Sequence, residues 1–482
     1  MTESNLEEAF LELTTRSIKF GPASTANAVF YDEGRREILS VDSNGTITVT
    51  SHKAHVKAKQ IRLEPTGQIY AIKLSDSGLV ATQRSHMSLD VFFKDNTSGI
   101  ADMSISPSVK QQIISYFWLK NDQLAIVTTK SLELIQISVN TSKAKTLSKE
   151  DIAVAWCKYS AESSVFVIST GQEISAYLYA RDCYTKISKL EIPRVSSLKE
   201  KAVWIIQLYK TTYICHLIVQ NDETRLILHH VKKNCVTEES FMILGSAKDS
   251  YTLNVVDNLV AIHNLQLKLT SVFDVRAIPS EHGPSITGSI VSIKGLAPMV
   301  PGKPVKSSID TSHEGIYVPQ ISYFTPNIIV DVRDGKLWEL ELRLDKIGLL
   351  FENDELFFRF LLRRRFHKAV AFDILRSQIK KSEPVERICR IFDQIVTMKP
   401  EPTLSQSDIL VHVFQPLLVE GLSREELSNM MLLFLRSLDK IGQTGHERLI
   451  CFLIDCLPRI EIRRDSVVTR GVARESTFIY KL

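Results

Sequence analysis

The chain has 482 residues, 44% hydrophobic and 24% charged, with 59 basic against 55 acidic side chains and a formal charge of +4. That length fits two to four domains with real cores, and that composition excludes disorder as the main state. A charge so close to neutral gives no global sign of nucleic acid or of an acidic substrate.

In chain order, the first dozen residues, MTESNLEEAFLE, carry Glu3, Glu7, Glu8 and Glu12 and no basic residue, so no secretory signal is expected. Leu11–Phe20 (LELTTRSIKF) reads as a strand. Up to about residue 350, short β-branched and aromatic runs then alternate with Gly, Asn, Asp and Ser clusters, the pattern of strands and turns. Asn44-Gly45 and Asp334-Gly335 suit two-residue hairpin turns, since each supplies positive φ angles. Trp338, Leu340, Leu342 and Leu344 fall on one face of the second hairpin, Glu339, Glu341 and Arg343 on the other. Hairpins recur at Ile38–Thr50, Leu79–Phe93, Leu124–Ser138, Val165–Tyr179, Ile214–Val231, Leu253–Val275 and Ile328–Leu344.

Most of the hairpin turns lie roughly 40–50 residues apart, the period of a four-stranded propeller blade. We therefore expect a WD-like β-propeller over residues 1–350, mainly β, with seven blades and each hairpin forming the outer half of one. A six-bladed ring with a separate hairpin also fits. The Gly-His and Trp-Asp marks of a regular WD repeat are missing. Leu11–Phe20 is placed to close the last blade. Seven of the 16 prolines, Pro279 through Pro326, sit with five glycines before the last hairpin, so a loop insertion is expected at about 276–326.

After Phe351 the period becomes helical, and an all-α, solenoid-like region is expected over residues 351–457. Ile388, Ile391, Phe392 and Ile395 form one stripe. Ser423 and Glu426 have the spacing of a capping box that opens a long helix ended by Gly442. Pro416 should bend or interrupt a helix that begins near Ser407. The apolar run Met430–Phe434 covers most of a helix circumference, as core packing or as a contact for helices or a partner. Residues 458–482 read as a loose tail.

Little here points to catalysis. Phosphate-loop, dinucleotide, G-x-S-x-G and H-E-x-x-H motifs are missing, and no cofactor is expected. Seven cysteines lie at 157, 183, 215, 235, 389, 451 and 456 without C-x-x-C spacing, which suits reduced thiols better than disulfides or zinc. His229-His230, on a strand, would point to opposite faces, and His52 and His55 read as solvated loop residues. Asp331 and Asp334 read as turn chemistry. The longest apolar runs, Met430–Leu435 and Leu449–Ile454, are far below the ~18 residues of a membrane span. These features suit a cytoplasmic protein with at most peripheral membrane contact. Arg363, Arg364, Arg365 and Lys368 form the sharpest charge cluster, either a solvated helix face or a surface for acidic lipid head groups or an acidic partner. No basic stripe continues beyond it, so nucleic acid is not expected.

Several stretches resemble the metazoan Bulli (Mic-one) family: Thr252–Asn264 (TLNVVDNLVAIHN) with Ser271–Val275, Leu11–Glu33, Asn327–Ile347 and Gln406–Phe414, all in the same order. The resemblance covers roughly residues 10–440. It implies an N-terminal propeller, a helical C-terminal stack and a non-catalytic subunit of the Mon–Ccz guanine-nucleotide exchange complex. The implied partners are Mon-type and Ccz-type subunits and, through them, the late-endosomal Rab GTPase (Rab-seven). The implied setting is late endosome, lysosome and autophagosome membranes, in endosome maturation and autophagy. The family's helical region is longer than the segment after Ser405 here, which fits a shorter isoform or a reduced member. A subunit of another vesicle tether or coat is the alternative reading, and a propeller enzyme would require a polar, charged channel.

Overall fold

The computed structural model describes residues 10–456 except 22–27, 54, 65–66, 94–97, 109, 191–198, 221, 277–290, 293–314, 349–350, 352–353, 382–383, 398–403 and 443–445. The expected tail at 458–482 and most of the expected insertion lie outside the described residues. Two compact units are present, Met1–Leu350 and Phe351–Leu482.

The first unit is a seven-bladed propeller built from antiparallel sheets. Blade one runs through Ala28–Asp32, Glu37–Val41, Thr46–Ser51 and Lys59–Arg62, and blade two through Ala71–Leu74, Val80–Gln83, Leu89–Phe92 and Met103–Ile105. Blade three spans Ile113–Lys120 to Lys143–Asp151, and blade four Trp156–Ser160 to Cys183–Leu190. Blade five spans Val203–Leu208 to Val236–Ser246 and gains a short parallel strand, Val291–Ser292. Blade six has three described strands, Tyr251–Val256, Leu259–Asn264 and Leu269–Phe273. Blade seven comprises Ile321–Phe324, Ile328–Asp331 and Lys336–Leu342.

The N-terminal segment completes blade seven. Leu11–Leu13 pairs with Lys336–Leu342, setting Leu11 opposite Leu342, and Ile18–Lys19 pairs further along the same strand. Arg343 clamps the join through Glu12 at 2.8 Å. On the inner side the ring closes where Tyr31 of blade one stacks on Phe324 of blade seven, with 4.1 Å between ring centroids.

Three readings of the sequence need correction. The recurrent hairpins are the central strands of each blade, not its outer half. A blade's second strand is covered on both faces by neighbouring blades, so it is apolar throughout and dominates the sequence signal. Gln123–Thr128, Val165–Ser169 and Leu259–Asn264 are buried at every position. By contrast, the outer strand of blade three, Lys143–Asp151 (KAKTLSKED), is almost wholly exposed. Second, Asn44-Gly45 and Asp334-Gly335 are not two-residue turns. Each ends a four-residue loop in which an aspartate, Asp42 or Asp331, accepts backbone N–H bonds and only the glycine has positive φ. Two-residue turns in which both residues have positive φ without any glycine are Arg181-Asp182, Tyr209-Lys210 and Asp257-Asn258. Third, the expected insertion does not reach residue 326, because Ile321–Phe324 is the first strand of blade seven.

The second unit contains the helices Asp354–Leu361, Lys368–Lys380, Val385–Thr397, Arg424–Lys440 and Glu447–Cys456, with a continuous helical stretch over 406–419 between Val385–Thr397 and Arg424–Lys440. The Val385–Thr397 helix buries Ile388, Ile391, Phe392 and Ile395 and packs on Arg424–Lys440. Ser423 and Glu426 form their capping box, and Ser405 with Asp408 forms a second. Pro416 sits just after a wide π turn, Leu410–Phe414, within one helix. Proline lacks the N–H that would reach the carbonyl of His412, and Arg376 donates to that carbonyl instead at 3.3 Å. Met431 and Phe434 are buried, while Met430, Leu432 and Leu433 pack around the rim of the same core.

Candidate functional site in the propeller channel

The first strands of successive blades touch one another around the ring and line its axis. Where these strands end, two adjoining cavities of about 550 and 420 Å3 open, sharing Glu33, Gly34, Arg35, Lys158, Tyr159 and Ala161. The lumen is charged. Asp32 closes the first strand of blade one and Glu33 follows it, while Lys73 and Lys158 occupy the third position of the first strands of blades two and four.

Each of these groups is shifted by enclosure within the ring. Burial raises the Asp32 carboxyl, opposed by Lys73 and by the backbone N–H groups of Arg35 and Gly34. Glu33 is accessible along the lumen yet walled in on every side, and burial raises its carboxyl too, against Lys158 and Lys73. Burial lowers Lys73, opposed by Asp32 and Glu33, and its ammonium lies 3.9 Å from the centroid of the Phe117 ring. Lys158 is lowered by burial against Glu33 and Glu200. Much of the remaining polarity is structural. Asp32 Oδ1 accepts from Gly34 N at 3.0 Å, and Arg35 bridges Glu37 at 2.7 Å and Asp76 at 2.5 Å. Trp118 Nε1 donates to Lys73 O at 3.1 Å.

Histidine chemistry lies within the blades. His216 and His229 stack on neighbouring strands of blade five, with their rings bridged at 3.2 Å. Burial holds His216 down at about 3, helped by His229, and burial holds His229 down at about 4. His230 lies outside this pair. In blade six, His263 joins Thr270 at 2.6 Å and Asn254 at 3.1 Å, and Thr270 joins Tyr317 at 2.5 Å. His52 is not simply solvated: it is half-buried with Nδ1 on Arg36 O at 3.2 Å, and burial lowers its pKa. Among the described residues no group of three or more His, Cys, Asp or Glu could hold a metal ion.

The arginine cluster is not a helix face. Arg363, Arg364 and Arg365 occupy the turn between Asp354–Leu361 and Lys368–Lys380. Arg364 points inward at 3% exposure, its guanidinium 4.2 Å from the Phe360 ring centroid and Nε donating to Phe360 O. A guanidinium can be buried this way because its flat face stacks on an aromatic ring while its edge finds a carbonyl. Arg365 and Lys368 are exposed, Lys368 pairing with Asp408 at 2.9 Å, and Phe366 between them is 86% exposed. The four cations therefore do not act as one surface.

The channel residues escaped the sequence reading because each is a single charge in an apolar strand. The recurrence of lysine at the third position of AIKL and WCKYS was the available signal.

Comparison with known proteins gives an independent view. A family model described as the N-terminal part of the regulator of MON1-CCZ1 complex matches residues 29–145. The mouse protein named regulator of MON1-CCZ1 complex is 25% identical over 423 residues, 81% of this chain and 63% of its own length. The human protein of that name is 24% identical over 417 residues with the same coverage. The chain is similar to these regulators along most of its length. A Dictyostelium discoideum homologue is 24% identical over 203 residues, 41% of this chain and 20% of its own length. The chain thus spans about 63% of the length of the mouse and human relatives. A solved structure, the Cps50 (Swd1) propeller domain of Myceliophteria thermophila, gives a TM-score of 0.39 at 9% identity, covering 69% of this chain and 99% of that one.

Proposed function

We propose that this chain is a non-catalytic regulatory and scaffold subunit of a Mon–Ccz guanine-nucleotide exchange complex. The observation that carries the proposal is the similarity to the mouse and human regulators along 81% of the chain. In this reading the ring and the helices present surfaces to Mon-type and Ccz-type subunits, which perform nucleotide exchange on the late-endosomal Rab. The complex would act on the cytoplasmic face of late endosomes, lysosomes and autophagosomes, where the chain associates peripherally. Arg365 of the turn and Lys368 at the start of the next helix, both exposed, are its proposed lipid or acidic-partner contacts.

A charged lumen is also what a propeller enzyme would need. The regulatory reading is preferred because it rests on similarity along 81% of the chain, while part of the lumen's charge is structural: Asp32 binds the turn that follows it, and Arg35 ties blade one to blade two.

Affinity purification of the tagged full chain should recover Mon-type and Ccz-type subunits. Recovery of a tethering core without them would replace this reading with that of a tether subunit. Rab nucleotide release by Mon–Ccz on liposomes, with and without the chain, then measures regulation directly. An Arg365→Glu, Lys368→Glu variant should lower liposome binding while the protein stays folded. Unchanged binding would remove these two residues from the membrane contact.

A further inference from the structure

We propose that Phe366 enters the interface of an anionic bilayer, with Arg365 and Lys368 meeting the lipid head groups beside it. The inference rests on those two cations being peripheral membrane contacts, and it commits to lipid in place of an acidic partner.

The turn between Asp354–Leu361 and Lys368–Lys380 inverts the usual order of burial. Phe366 is 86% exposed, while Arg364 and His367 on either side of it are buried. The inversion is held by hydrogen bonds and stacking. Arg364 N donates to Leu361 O at 2.8 Å, and its guanidinium lies on the Phe360 ring. His367 Nδ1 joins Arg364 O at 2.6 Å, and the His367 carbonyl accepts from Ala371 N at 2.9 Å in the first turn of the next helix. Residues 364 and 367 are thus pinned inward, and 365 and 366 between them take the outer side. The apolar core at this end is supplied by Phe358, Leu362 and Phe372 instead. A benzyl group fixed in water costs stability, and transfer into an apolar phase recovers it.

The surroundings of the ring select that phase. From 356 to 372 the chain carries Arg359, Arg363, Arg364, Arg365 and Lys368 and no Asp or Glu. Arg365, Lys368 and Ala369 are exposed near it in the chain, Lys368 also meeting Asp408 at 2.9 Å. The apolar area offered is therefore one side chain on a projecting turn. A protein interface needs a core of several residues within roughly 800 Å2 per partner, and its anchors sit in pockets. A bilayer interface takes a lone aromatic ring without matching its shape, and anionic head groups attract the cations that flank it. Val419 makes the contrast. It is as exposed, at 87%, but Glu420 follows it, in an ion pair with Lys380 at 2.6 Å.

The test is co-sedimentation of the full chain with phosphatidylcholine vesicles, with and without phosphatidylserine. Binding should require phosphatidylserine and weaken as salt rises. Phe366→Ala should lower the partition coefficient on anionic vesicles about tenfold, and Phe366→Trp should retain it. Val419→Ala should leave it unchanged. With Phe366→Trp, brominated acyl chains should quench emission beyond the baseline set by the four native tryptophans. Both Phe366 variants should keep the wild-type urea midpoint, because the ring lies outside the core.

Full binding by Phe366→Ala, no added quenching with Phe366→Trp, or equal binding to vesicles without phosphatidylserine would overturn insertion. If Arg365→Glu, Lys368→Glu still lowers binding in that case, the cations are a purely electrostatic contact. Absence of binding to anionic vesicles would overturn insertion and the membrane contact of the cations together. Phe366→Ala should recover Mon-type and Ccz-type subunits as the wild type does. Loss of either subunit in that variant alone would overturn the proposal by placing the ring in a protein interface. Failure of the wild-type chain to recover them would count against the regulatory reading and leave the vesicle result standing.

Discussion

A single apolar cluster runs through the helical unit from Phe358 to Cys456, whereas the ring's clusters each sit at one junction between consecutive blades. The ring also buries bonds between polar side chains, namely the His216–His229 pair, the Asn254–His263–Thr270–Tyr317 chain, and Glu133 accepting from Ser108 and Ser131, whereas the buried Arg364, His367 and Ser428 of the helical unit bond to backbone carbonyls. The contrast has a geometric origin. Helices satisfy their own backbone and need only apolar stripes that interlock, so one continuous core forms. Stacked blades present similar flat apolar faces, which could slide over one another. A buried hydrogen bond has direction and fixes one arrangement where apolar contact alone would allow several.

The comparison makes different demands on each unit. Phe392 sits between the Phe414 and Phe434 rings, so Phe392→Ala should cost roughly 3–5 kcal/mol. Hydrogen exchange should place that loss across the helices within 354–456. Loss centred on the blades would contradict the division into two cores.

Acid should act on the ring instead. His216 and His229 are held neutral at about 3 and about 4 in the fold, below the ordinary 6.5, so the unfolded chain takes up protons that the fold refuses. Stability contributed by these groups is therefore complete above pH 7 and declines as pH falls through 6.5 towards 4. The loss should be on the order of 2 kcal/mol per histidine by pH 5. Urea midpoints at pH 7.5 and 5 should show this slope, and a His216→Phe, His229→Leu variant should reduce it, leaving the share of His263, which burial also holds down at about 3. An unchanged slope would move acid sensitivity elsewhere.

Thr270→Val keeps the shape of the buried chain but strips His263 and Tyr317 of a partner, for roughly 1–3 kcal/mol in equilibrium unfolding. The smallest expected effect belongs to the helix caps. Ser423→Ala should cost about 1 kcal/mol, read as faster exchange in the first turn of Arg424–Lys440.

Much of this organisation was legible in the sequence. The hairpin spacing marked seven sheets, the Ile388–Ile395 stripe marked a buried helix face, and Ser423 with Glu426 marked a helix start. These signals are local: period, turn chemistry and capping act within a few residues. The turn type was misread because a loop of four residues with a terminal glycine uses the same Asn-Gly or Asp-Gly letters as a two-residue turn. Arg181-Asp182 and Tyr209-Lys210 carry no glycine to announce them. The arginine cluster was misread for a related reason. Three adjacent arginines look equivalent in sequence, and only the Phe360 ring one turn earlier makes Arg364 a buried residue.

The sequence by itself determined a chain of β-hairpins followed by amphipathic helices, because those features depend on spacing along the chain. The sequence also placed Leu11–Phe20 to close the last blade, where it pairs with Lys336–Leu342. Only the tertiary structure decided that the hairpins are blade centres and that Asp32, Glu33, Lys73 and Lys158 share a lumen. The physical reason is distance along the chain. Asp32 and Lys158 lie on different blades, more than a hundred residues apart, and nothing in either strand specifies the other. Ring closure alone brings them together, and in doing so encloses four charges that the sequence presents as scattered surface residues.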